Sequence, residues 1–242
     1  NEKRLYIAEG TKLVEELLRE SAGAPLLCAT PGWFKNHTFS FEAKINERIE
    51  TTEQEMAKIS SLKTPPSVLG VFHMPEDIYP TQAIAESLAL ALDRINDPGN
   101  LGTIIRLADW FGIQYIVCTR DTVDLYNPKT VQATMGSIAR VKVFYRDLHE
   151  VLESMASYKG YDIYGCFLEG ENIYKASLGE KGMIVMGSES HGISSDLWPF
   201  INRHIYIPSF PEMRGRSPES LNVSMATGIV CSEFRRRQFR GI

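Results

Sequence analysis

Apolar and polar positions along the chain alternate between two rhythms. Short apolar runs at 88–95, 115–119, 141–144, 162–167, 183–187 and 204–207 read as strands. Between them, apolar residues recur every three or four positions, which predicts helices at 103–111, 129–139, 148–157, a short piece near 194–200 and a long final helix from about 221 to 239. Before residue 75 the same alternation is shorter. Strands are expected at 5–8, 26–29, 45–50 and 68–74, with a helix at 11–19 and an undecided stretch at 31–41. Thr52 followed three positions later by Glu55 fits a capping box opening a further helix through Ile59 or Leu62.

Repeated strand–helix alternation with apolar strands predicts an α/β fold: a parallel sheet with helices on both faces, preceded by a small α/β domain. The prolines at 75 and 80 place the boundary near residue 78, giving domains 1–78 and 79–242. In such sheets ligands sit beyond the carboxyl ends of the strands. The loops after residues 95, 167, 187 and 207 therefore carry the candidate chemistry.

The first loop, Asn96-Asp97-Pro98-Gly99-Asn100, crowds turn formers together and leads into a helix with Arg106 off its apolar face, roughly one turn in. The loop from Gly187 to Ser194 frames Glu189, Ser190 and His191 with glycines. Its spacing misses the G-x-S-x-G of a nucleophile elbow by one position, which counts against a hydrolase. Gly187 suits close approach of backbone to a cofactor, and Ser194 suits a helix cap. The third loop runs from Pro208 to Glu219, and Ser220 reads as the cap of the final helix, with Asn222 one step inside. No loop has the G-x-G-x-x-G of a dinucleotide fold or a P-loop lysine.

Composition narrows the class. The 242 residues are 43% hydrophobic and 23% charged, with net charge −4, which argues against broad electrostatic binding of nucleic acid. Basic residues cluster locally, at Arg214 and Arg216 and at Arg235, Arg236, Arg237 and Arg240; a solvated helix end accounts for the last group equally well. Cys28, Cys118, Cys166 and Cys231 are widely spaced in apolar stretches, as expected of buried thiols in a reducing, cytoplasmic setting. No structural metal, signal peptide or membrane span is expected.

Three segments taken together carry a resemblance. Asn100-x-Gly102-x-x-x-Arg106, then Gly187-x-Glu189-x-x-Gly192-Ile193-Ser194, then Ile207-Pro208 followed by Ser220-Leu221-Asn222-Val223-Ser224-x-Ala226-x-Gly228-Ile229, look like the three motifs of the SPOUT methyltransferases. More closely they resemble the SpoU (TrmH-type) branch, ribose 2′-O-methyltransferases of ribosomal and transfer RNA. The match covers about residues 87–242. Tyr6-Ile7-Ala8-Glu9-Gly10 with Val14-Glu15-Glu16 resembles the RNA substrate-binding domain that precedes many of these enzymes.

The resemblance implies a C-terminal trefoil knot, a homodimer with active sites near the subunit interface, and S-adenosylmethionine as cofactor. It assigns Gly187, Ile207, Leu221 and Leu168 to the cofactor, and Asn100, Arg106, Glu189, Ser220 and Asn222 to catalysis and substrate. Arg106 would hold the RNA phosphate and stabilise the developing alkoxide, or act as base. Glu189 would fix its loop or pair with Arg106. Ser220 would touch substrate or only cap the helix. Ribosomal RNA is favoured over transfer RNA as substrate; an RNA-binding protein without catalysis is the alternative of another class. The loop at 209–219 is longer than the family's usual one.

Overall fold

The computed structural model describes residues 4–20, 23–37, 42–210 and 220–238. The chain forms two compact units, Asn1–Asp77 with Asp124–Arg140, and Ile78–Val123 with Val141–Ile242.

The first unit begins with β1 (Leu5–Glu9), α1 (Thr11–Glu20), β2 (Ala24–Ala29), α2 (Pro31–His37), β3 (Ile45–Glu50), α3 (Glu53–Ile59) and β4 (Val68–His73). The undecided stretch after Pro31 is thus helical as far as His37. Its four strands run in the order β1-β4-β2-β3, with only β2 and β3 parallel. The capping box forms as expected: Thr52 Oγ1 accepts from Glu55 N–H, and Glu55 returns the bond to Thr52 N–H. Glu9 is buried, and its carboxylate accepts bonds from the Ser60 hydroxyl and from Ser61 N–H and hydroxyl. A buried carboxylate is tolerated when its lone pairs are filled in this way.

In the second unit α4 (Thr81–Ala85) leads into β5 (Leu88–Asp93), α5 (Pro98–Trp110) and β6 (Tyr115–Cys118). The predicted helix at 103–111 starts five residues earlier than its apolar spacing indicates. Asp97 caps it by accepting from Asn100 N–H at 2.8 Å, and Pro98 occupies the first turn, where no backbone donor is needed. Asn100 and Gly102 are therefore helical, and Arg106 lies about two turns in. The segment after β6 belongs to the first unit and holds α6 (Pro128–Thr134) and a 3₁₀ turn, Ser137–Ala139. The single helix expected at 129–139 breaks where Met135 and Gly136 take φ of 51° and 99°. Within the first unit, a Cβ on Gly136 would lie 2.5 Å from the Glu16 side chain, and Glu16 pairs with Arg140 at 2.6 Å.

The remaining elements are β7 (Lys142–Tyr145), α7 (Leu148–Ala156), β8 (Asp162–Asn172), β9 (Gly182–Gly187), a 3₁₀ segment Ser195–Phe200, β10 (Arg203–Tyr206) and α8 (Val223–Gln238). All six strands pair in parallel, in the order β10-β8-β9-β5-β6-β7. In β5, Ala89 and Ala91 join a core with Val151, Leu152 and Met155 of α7. Leu88, Leu90 and Leu92 point to the opposite face by strand alternation and are buried too. Both faces are covered, which is why the strand reads as a continuous apolar run. Helices α5 and α8 pack together where Gly228 brings the Leu107 side chain to 3.4 Å of a would-be Cβ.

The described arginines at the C-terminal end do not form a free basic patch. Arg235 donates to the carbonyls of Phe111 and Gly112, satisfying groups left open at the end of α5. Arg237 donates to the carbonyl of Tyr174, and both Arg236 and Arg237 donate to buried Glu233. Arg214, Arg216 and Arg240 lie outside the described residues. The four cysteines are free; Cys28, Cys118 and Cys231 are buried and Cys166 is half-buried. Burial pushes the Cys231 thiol up to about 12, so it stays protonated and unreactive.

Glu233 yields a testable pH dependence. The Arg236 hydrogen bond first, with Arg237 adding, holds its carboxyl at about 2 against an ordinary 4.5. Because the folded value is depressed, the stabilisation is complete above 4.5 and is lost as pH falls toward about 2. Glu233→Gln is expected to lower stability at neutral pH by roughly 1–2 kcal/mol, after allowing for solvent screening, and to flatten the acid limb of a melting-temperature profile over that window. An unchanged acid limb would refute the assignment.

Candidate active site

The loop after β5 and the loop after β9 are joined by Asp93, a buried carboxylate at the end of an apolar strand. Its Oδ2 accepts from Ser194 N–H at 2.7 Å and from Ser194 Oγ at 2.6 Å, and its Oδ1 lies 3.3 Å from Arg94 Nε. Ser194 precedes the 3₁₀ segment without capping it by side chain, because its hydroxyl is committed to Asp93. In the sequence, the only sign of Asp93 is a charge closing an apolar run. The Gly187 loop doubles back on itself: Ser188 bridges Gly192, and a Cβ on Gly187 would lie 2.1 Å from the Gly192 carbonyl carbon. The absence of a side chain at Gly187 is thus required by its own loop.

This fold-back presents Glu189. Its Oε1 accepts three hydrogen bonds, from Asn100 Nδ2 at 3.1 Å, Asn222 Nδ2 at 2.5 Å and Val223 N–H at 3.1 Å. Asn222 Nδ2 also donates to Asn100 Oδ1 at 3.0 Å. One residue from each of the three sequence segments therefore meets at a single carboxylate oxygen. The carboxylate sits at the N-terminus of α8, where open N–H groups and the helix dipole favour negative charge.

The cap of α8 is Asn222, not Ser220. Asn222 Oδ1 accepts from Ser224 N–H at 3.1 Å, Ser224 Oγ at 2.6 Å and Met225 N–H at 3.3 Å. Its carboxamide thus does two jobs: the oxygen closes the helix, and the NH₂ group serves Glu189. Ser220 lies two residues before the cap and, among the described residues, makes no hydrogen bond. Arg106 is also apart from the cluster. It is exposed on α5, its side chain making no hydrogen bond or ion pair among the described residues, and Trp110, four positions on and 84% exposed, lies on the same helix face.

The cofactor-side candidates lie at neighbouring strand ends. Leu168 sits in an excursion from β8: Gly165 pairs with His204, yet the next pair is Glu171 with Ile205, so residues 166–170 swing out of the ladder. Ile207 follows the last residue of β10 and is half-buried, and Leu221 precedes the Asn222 cap. Among the described residues neither Ile207 nor Leu221 makes a hydrogen bond. Ser190 Oγ lies 2.7 Å from His191 Nδ1, but both are exposed and, among the described residues, no carboxylate orients the histidine and no hydrolytic triad forms. A separate cavity of about 300 Å³, lined by Asp93, Thr119, Asp147 and Ser194 among others, includes none of the candidate residues. Among the described residues, no group of three or more His, Cys, Asp or Glu side chains converges as a metal site.

A parallel sheet whose central strand ends gather a polar cluster defines an α/β ligand-binding enzyme fold. Residues 87–232 match the SpoU rRNA Methylase family, and residues 1–70 match the MRM3-like substrate binding domain. The chain belongs to the SpoU rRNA methylase family. It is 29% identical over 238 residues to the 23S rRNA (guanosine(2553)-2′-O)-methyltransferase RlmP of Bacillus subtilis, covering 95% of this chain and 88% of that one. It is 31% identical to the 23S rRNA (guanosine-2′-O-)-methyltransferase RlmB of Blochmanniella floridana, covering 81% and 80%. Among solved structures it is similar to a TrmH-family protein from Porphyromonas gingivalis (TM-score 0.85, 36% identity, 98% and 91% covered). It is also similar to the AdoMet-bound rRNA methyltransferase from Sinorhizobium meliloti (TM-score 0.83, 29% identity, 98% and 88% covered).

Proposed function

We propose that this chain methylates a ribose 2′-hydroxyl of ribosomal RNA with S-adenosylmethionine as donor. The observation that carries the reading is the meeting of Asn100, Glu189 and Asn222 at one oxygen in a chain of this family. The donor set fits the cofactor: the backbone groups of Ile207 and Leu221, without a hydrogen bond among the described residues, suit the edge of an adenine, and the Leu168, Ile207 and Leu221 side chains suit its faces. When bound, S-adenosylmethionine supplies a methyl group on a sulfonium, whose S–C bond breaks as the new O–C bond forms.

The chain's own residues position and stabilise. Arg106, whose side chain has no partner among the described residues, holds the phosphate beside the target ribose through its planar fork and stabilises charge on the attacking oxygen. This role is favoured over that of general base, because the guanidinium offers hydrogen-bond donors and no acceptor. The hydroxyl proton passes to water. Glu189 fixes the two amides and the start of α8; Asn222 is fully committed to Glu189, Asn100 and the helix cap, and Asn100 presents its remaining N–H and lone pair to the ribose. Ser220 contacts substrate; helix capping is taken by Asn222.

The same proposal includes a homodimer and the family's trefoil knot. Trp110 at 84% and Met225 at 62% exposure are large apolar side chains left uncovered on α5 and α8, and Trp110 shares the helix face of Arg106; residues of this kind suit a subunit interface. The segment 211–219 lies outside the described residues. The N-terminal domain, 1–78, binds the RNA, a reading supported by its substrate-binding match, and the catalytic domain is 79–242. Four free cysteines support a reducing, cytoplasmic setting.

The test is transfer of labelled methyl from S-adenosylmethionine to total RNA from cells lacking this protein, followed by separation of ribosomal from transfer RNA and nucleoside analysis. A 2′-O-methylnucleoside is the expected product; label on a base, or on transfer RNA alone, would overturn the reading.

A further inference from the structure

We propose that Trp198 is a positioning residue for the methyl donor, bracing together the three segments that carry Gly187, Leu168 and Ile207. The inference rests on the function proposed above. Trp198 lies in the 3₁₀ segment Ser195–Phe200, and its Nε1 donates to the carbonyl of Ile193 at 3.0 Å, at the end of the Gly187–Ser194 loop. Its ring meets Phe167 edge-on, with centroids 5.5 Å apart and planes at 85°. Phe167 belongs to the excursion at 166–170, one residue before Leu168, and stacks on His204 of β10 at 4.4 Å and 30°. A single aromatic row, Trp198–Phe167–His204, thus links the 3₁₀ segment tied to the loop after β9, the excursion from β8 and the strand that ends just before Ile207.

Gly165 makes the row possible. A Cβ there would lie 2.5 Å from the Phe167 ring and 2.9 Å from Ile201, so only glycine lets Phe167 fold over its own strand. Trp198 keeps 48% of its surface exposed. Core packing leaves that exposure unexplained, whereas a surface brace beside a ligand accounts for it. Glu189 is anchored separately, by Asn100, Asn222 and Val223. Loosening the brace therefore releases the cofactor side while leaving the amide cluster in place.

That separation sets the test. Trp198→Phe keeps an aromatic ring but removes the donor to Ile193, and Phe167→Leu removes both ring contacts. For each, S-adenosylmethionine binding by calorimetry and kcat with ribosomal RNA at saturating donor are compared with wild type, below the melting temperature of every variant. The expected result is a rise of about tenfold in the dissociation constant and in KM for the donor, with kcat within about threefold. The double variant should be no weaker than the weaker single one, because the brace breaks only once. An unchanged dissociation constant in both variants overturns the proposal, even if their melting temperatures fall, since that marks a purely structural role. A fall confined to kcat overturns it as well. Failure of the wild type to bind the donor would instead overturn the functional reading itself, and would be seen without any variant.

Discussion

Arg106→Ala is expected to cut methyl transfer by about a thousandfold or more while leaving the dissociation constant for S-adenosylmethionine within about twofold. The size follows from its job. A preorganised donor aimed at charge that appears only in the transition state commonly contributes two to three orders of magnitude in rate. The selectivity follows from its place. Arg106 is exposed on α5 and its side chain makes no hydrogen bond or ion pair among the described residues, while the residues proposed for the cofactor lie on other segments. Its removal takes no contact from the fold, so melting should shift by no more than about 0.5 kcal/mol in stability. Arg106→Lys keeps the charge but loses the fork, and less than about a tenth of the activity should return. Single-turnover methyl transfer and donor calorimetry on one preparation decide the matter. Substantial turnover in the alanine variant would remove Arg106 from the mechanism.

Glu189 should separate geometry from charge. In Glu189→Ala the Asn222 NH₂ group keeps Asn100 Oδ1, but Asn100 Nδ2 and Val223 N–H lose the one acceptor they have among the described residues. Unmade bonds of this kind cost about 1–3 kcal/mol when buried, and these are partly solvated, so a loss near the lower end is expected, with activity down about a hundredfold as the amides lose register. Glu189→Gln is the sharper experiment. All three donors converge on one oxygen, and a glutamine supplies one acceptor oxygen, so the melting temperature should stay close to wild type. The negative charge at the start of α8 is gone, however, and activity should still fall by at least about tenfold. A glutamine variant as active as wild type would reduce Glu189 to scaffolding.

Local patterns carried much of this. The six apolar runs of the second unit all became strands of one parallel sheet, and the Thr52–Glu55 capping box formed as its spacing implies, because alternation and capping depend on residues within a few positions of one another. The errors came where two local signals conflicted. Gly99, Asn100 and Gly102 are poor helix formers, and they masked the Asp97-Pro98 start of α5. Ser220 and Asn222 are both good caps, and nothing within the segment ranks them. The ranking comes from Glu189, which draws the Asn222 NH₂ group and so orients its oxygen toward Ser224 and Met225.

The sequence by itself determined the α/β alternation, the order of the three segments and the family they mark. Their meeting was decided by tertiary structure alone. Asn100 and Glu189 stand 89 positions apart and Glu189 and Asn222 stand 33 apart, and no periodicity reaches across such gaps. They share an oxygen because β9 pairs with β5 in parallel, placing two strand ends side by side, and because α8 begins against the same edge. The Asp93–Ser194 tie and the Trp198–Phe167–His204 row have the same origin: a parallel sheet brings together the loops at its carboxyl edge whatever chain length separates them.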